Sequence, residues 1–125
     1  MKNILITTAA FLCAGCDLFL TSNEILLHRA AEEGDIELVM ELVNAGVNKN
    51  VTAGKWKDTP LHRAVLYNHK EIIIFLINSE ADLNITDNIG GTIMDDALFW
   101  NEEVIIELLR NRGAKTAEEL RNERR

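Results

Sequence analysis

The chain has 125 residues, of which 47% are hydrophobic and 26% charged, and its formal net charge is −7. That length allows one domain. The acidic balance argues against a nucleic-acid partner, because phosphate backbones are held by clusters of Lys and Arg. It argues equally against anionic lipid as a ligand for the body of the chain, and it is compatible with a basic protein partner.

In chain order, Met1 to Gly15 comes first. Lys2 is its only charge, Ile4 to Leu12 is a short apolar run, and the small residues Ala14 and Gly15 precede Cys16. A basic start, an apolar stretch of this length and a small-residue exit describe a secretory signal peptide over 1–15. A membrane-spanning helix needs ~20 apolar residues, and Asp17 interrupts this run before that. Both cysteines, Cys13 and Cys16, lie in this region. Losing Lys2 with the signal takes the charge from −7 to −8. Residues 16–23 then read as a linker.

The junction Leu12-Cys13-Ala14-Gly15-Cys16 resembles the lipobox of bacterial lipoproteins. That resemblance implies cleavage before Cys16 and lipidation of Cys16. The chain would then be anchored on the extracytoplasmic side of a bacterial envelope, touching the membrane through this lipid only. Cys13 stands where the motif usually has Leu. The competing readings are another kind of cleaved export signal and an ordinary N-terminal apolar helix on a cytosolic protein.

From Glu24 onward the chain repeats itself. Leu61-His62-Arg63-Ala64 copies Leu27-His28-Arg29-Ala30 at an offset of 34, and Leu42 and Asn50 return as Leu76 and Asn84. A third copy follows at an offset of 33, taking Ala64 to Ala97 and Leu76 to Leu109. The units read as 24–56, 57–90 and 91–125. Each predicts two short antiparallel helices and a projecting turn. In the second unit Thr59 is a good N-cap and Pro60 suits the first helical position. Gly34 and Asn68 suit the left-handed exit of a first helix. Second-helix stripes follow: Leu38, Val39, Leu42 and Val43; then Ile72, Ile73, Leu76 and Ile77; then Val104, Ile105, Leu108 and Leu109. Thr116-Ala117-Glu118-Glu119 reads as an N-cap and an acidic first turn, the start of a short capping helix.

A period of about 33 residues built on a Thr-Pro-Leu-His-x-Ala core resembles the ankyrin repeat. Thr59-Pro60-Leu61-His62-x-Ala64 carries the pattern in full. The first unit has Ile25-Leu26 for Thr-Pro, and the third has Ile93-Met94-Asp95 for Pro-Leu-His. The fold class implied is all-α: an ankyrin-repeat solenoid of about three helix-turn-helix repeats with a short C-terminal capping helix. The function implied is non-catalytic binding of a protein partner on the concave side, by a monomer without cofactor or metal. His28 and His62 are implied to be structural. The sequons at Asn50 and Asn84 coincide with a position where the repeat normally has Asn.

By alignment to the ankyrin repeat, the resemblance implies exposed positions two and three residues after each core Ala: Glu32-Glu33, Leu66-Tyr67 and Phe99-Trp100. Apolar and aromatic residues at solvent-facing places mark an interaction site. Trp56, Leu66, Tyr67, Phe99 and Trp100 are therefore the predicted partner surface, edged by Arg63 and Asp96. The competing reading packs Phe99 and Trp100 inward, against a short third repeat. Asp95 and Asp96 are adjacent on a helix and face different ways, so they do not form a catalytic pair. Two further functional readings stand beside the anchored binding module: an effector acting on host proteins, and a structural stabiliser of an exported enzyme or envelope complex.

Overall fold

The computed structural model describes residues 21–125. The signal segment 1–15 and Cys16 lie outside the described residues. Seven helices follow in order: α1 Ser22–Glu33, α2 Ile36–Asn44, α3 Pro60–Leu66, α4 Lys70–Asn78, α5 Ile93–Trp100, α6 Glu103–Asn111 and α7 Ala117–Glu123. Helix α1 starts at Ser22, inside the stretch read as linker. The reason is Thr21, whose hydroxyl accepts from the Glu24 amide while the Glu24 carboxylate accepts from the Thr21 amide. This reciprocal cap satisfies two amides that a helix start otherwise leaves unpaired.

The first helices α1, α3 and α5 form one layer and the second helices α2, α4 and α6 the other. Each hairpin packs internally and against its neighbour in the stack. Ala30, Ala64 and Ala97 are fully buried, and their small side chains let the hairpins close up. Leu27, Leu61 and Met94 fill the first layer, and Leu42, Leu76 and Leu109 the second, in one continuous core. No unit could bury both of its faces alone, so the stack is the unit of stability. Among the described residues no helix is long and apolar enough to cross a membrane.

The helix exits follow the sequence closely. Gly34 (φ 82°), Asn68 (φ 57°) and Asn101 (φ 53°) all take the left-handed conformation. Gly34 is doubly constrained, since a Cβ there would lie 2.7 Å from Cε1 of His69. His69 in turn donates from Nε2 to the Glu32 carbonyl at 2.9 Å. Asn50 and Asn84 stitch successive units: the Asp82 amide donates to Asn50 Oδ1 at 2.8 Å, and the Lys115 amide to Asn84 Oδ1 at 2.9 Å. Both side-chain amides therefore hold structural places.

The capping helix α7 is present, with the Thr116 hydroxyl accepting from the Glu119 amide. None of its residues is fully buried.

Candidate protein-interaction surface

The junction between the first two units is a chain of charged and aromatic groups. Asp58, in the turn before α3, is 5% exposed. His28 Nε2 donates to the Asp58 carbonyl at 2.7 Å and lies 3.2 Å from its carboxylate. Arg63 Nε reaches the same carboxylate at 3.0 Å, and an Arg63 terminal nitrogen is 3.5 Å from Glu32. The Tyr67 hydroxyl donates to Glu32 at 3.0 Å, and the Tyr67 ring stacks on His69 at 6.4 Å. Burial pushes the Asp58 carboxyl upward, but the hydrogen bonds and charges of His28 and Arg63 outweigh it and hold the group below its ordinary value.

His62 does a different job from His28 at the same place in the repeat. Its Nδ1 accepts from the Thr59 amide at 3.2 Å and from the Thr59 hydroxyl at 2.8 Å. Burial lowers its pKa and keeps the ring neutral. The first unit has Ile25 where Thr59 stands, so His28 has no such hydroxyl and reaches forward to Asp58 instead. In the third unit Asp95 substitutes for the histidine and does the same capping work. Its carboxylate accepts from the Thr92 amide and hydroxyl, both at 3.0 Å, and from the Ala117 amide of α7 at 3.2 Å.

The predicted surface residues divide into three places. Leu66, Phe99 and Trp100 come together with Asp95 and Asp96 around one hollow of about 360 Å³ between the ends of α3 and α5. Phe99 is 81% exposed and Trp100 42%. Their rings meet edge to face with centroids 5.6 Å apart. The inward packing considered from the sequence is not what α5 adopts: Ile93, Met94 and Ala97 fill the interior, which leaves Phe99 and Trp100 on the outer turn. Tyr67 is also open to solvent but is tied to Glu32 and His69 at the first junction. Trp56 sits apart in the projecting turn, with Lys55 Nζ 5.1 Å over its ring and its carbonyl accepting from the Asn88 amide. Arg63 is not at an open edge; its side chain is 13% exposed and committed to Asp58 and Glu32.

Asp96 is the residue whose environment sequence reasoning could not weigh. It occupies the place that Arg63 holds in the preceding unit. Burial, followed by the charges of Asp87, Asp95 and Asp58, raises its pKa to about 6. Among the described residues no group of three or more His, Cys, Asp and Glu side chains could hold a metal ion.

A two-layer stack of helical hairpins with projecting turns defines a solenoid of the macromolecule-binding kind. The family description "Ankyrin repeats (3 copies)" matches residues 27–119, and the chain belongs to the ankyrin-repeat family. It is 30% identical over 115 residues to the NF-kappa-B inhibitor cactus of Drosophila melanogaster, covering 89% of this chain and 23% of that protein. It is 39% identical over 95 residues to the putative ankyrin repeat protein FPV031 of fowlpox virus, covering 72% of this chain and 28% of that one. Against the serine/threonine-protein kinase 12 of Arabidopsis thaliana the figures are 33% over 89 residues, 68% of this chain and 18% of the kinase. The chain thus spans less than a third of the length of each. Ankyrin repeats imply a protein–protein interaction module.

Proposed function

We propose that this module binds its protein partner on the surface shared by the ends of α3 and α5. We further propose that it is tethered through Cys16 at the extracytoplasmic face of a bacterial membrane. The observation that carries the first part is the exposure of Leu66, Phe99 and Trp100 around one hollow, next to a fully buried and self-sufficient core. Large aromatic side chains left in solvent are spent by a monomer without gain, and they are the residues that dominate interface energies. The tether rests on the lipobox-like sequence alone.

Replacing Trp100 with Ala is expected to weaken the partner complex by about 2 kcal/mol, or roughly thirtyfold in Kd. A photo-crosslinking side chain at position 99 of the full chain would identify the partner, and calorimetry with that partner would measure the loss. Circular dichroism of the variant should show the same helix content and unfolding midpoint. An unfolded variant, or an unchanged Kd, would remove Trp100 from the interface.

The tether is tested by the intact mass of protein extracted from native membranes. A chain beginning at Cys16 with added acyl mass is expected. A chain beginning at Met1 would overturn the tether and turn the partner search to the cytosol or to a host cell.

A further inference from the structure

The hollow between α3 and α5 has a chemical bias that the aromatic residues alone do not give. Its border carries two carboxylates in different states of satisfaction. Asp95 is engaged through Oδ2, which accepts from Thr92 and from the Ala117 amide. The Asp96 carboxylate makes no hydrogen bond or ion pair with any described residue, and the charges acting on it, Asp87, Asp95 and Asp58, are all of its own sign.

The basic groups of α3 and α4 have other partners. On α3, Arg63 is committed to Asp58 and Glu32, and His62 is buried and neutral. At the start of α6, Glu102 is paired with Lys70 at 3.3 Å. The result is an uncompensated carboxylate beside two exposed rings set at 83° to each other.

The geometry points to an arginine side chain of the protein partner as the occupant of this hollow, its guanidinium stacked on the Phe99–Trp100 corner and paired with Asp96. A planar, weakly hydrated guanidinium can lie against a ring face while its N–H edge meets a carboxylate. A lysine ammonium is compact and strongly hydrated, so it gains less from the rings. The proposal deepens the surface reading above and rests on it.

The test uses the full chain and N-acetyl-arginine amide as the probe. Its neutral isostere, N-acetyl-citrulline amide, is the control. Nitrogen-15 NMR follows the Trp100 indole N–H during titration of each. The expected result is a saturable shift with the arginine probe and binding weaker by about tenfold for citrulline, the difference a charge-assisted hydrogen bond makes. Asp96→Asn should abolish the difference while keeping a thermal midpoint at or above that of the parent chain, since it removes a repelled charge.

Lowering the pH from 7 to 5 should weaken the arginine probe about tenfold, because most of the carboxylate is then protonated and only the ionised form pairs. Equal binding of both probes at Trp100 would overturn the arginine assignment and leave the aromatic surface standing. No shift at Trp100 with either would also overturn it. The surface reading itself is decided separately, by the Trp100→Ala measurement with the crosslinked partner.

Discussion

Asp58→Ala should be among the most damaging single changes in this molecule, costing about 3 kcal/mol at pH 7. The carboxylate is almost wholly covered and is the common partner of His28 and Arg63. Removing it leaves a largely covered guanidinium with only the longer contact to Glu32 at 3.5 Å. That residual contact places the expected cost toward the low end of what breaking a buried pair produces. Urea denaturation compares the variant with the parent chain. Asp58→Asn, which keeps the shape and an acceptor, should cost about half as much.

The pH dependence gives an independent reading. The folded carboxyl titrates below its ordinary value of 3.8. Its stabilising contribution is therefore fully present above that value and is lost as pH falls through the lower, folded one. The gap between the parent chain and Asp58→Asn should hold constant from pH 7 to about 5 and then close below about pH 4. A gap of less than 1 kcal/mol at neutral pH would mean that this junction behaves as an exposed salt bridge.

Leu76→Ala should cost about 3–4 kcal/mol. Leu76 is 0% exposed and sits in the second helix of the central unit, whose neighbours on both sides pack on it. The cavity it leaves cannot be filled by movement of one neighbour without opening the other. A domain of this size is stable by only about 5–15 kcal/mol in total, so the change consumes a large part of the margin. Denaturation monitored by tryptophan fluorescence and by circular dichroism should shift together, because Trp56 and Trp100 belong to units that the central hairpin joins. Separate midpoints would show that the end units hold without the middle one.

Much of this architecture was legible because repetition multiplies weak signals. Thr59-Pro60 predicted the start of α3, and Asn68 its left-handed exit. The leucines at 42, 76 and 109 predicted the second layer. Less was legible at the first boundary, where the Thr21–Glu24 cap starts α1 at Ser22, two residues before the repeat pattern. The site was legible in composition and not in arrangement. Leu66, Tyr67, Phe99 and Trp100, the positions taken from the resemblance to the repeat, are open to solvent. Which of them share a hollow depends on contacts between units, and spacing within a unit cannot report those. The Asp58 junction escaped notice for the same reason, because its three partners come from α1, a turn and α3.

The exchange of His62 for Asp95 has a consequence for how long such a stack can grow. A histidine at this place either caps its own helix, as His62 does with Thr59, or presents an N–H to the backbone of the next turn, as His28 does with Asp58. An ionised carboxylate has no proton to offer. Asp95 instead receives the Ala117 amide, so the direction of donation reverses where α7 is seated. Splicing a copy of the second unit after the third would place a carbonyl opposite a carboxylate, and a longer array would first need a histidine restored there.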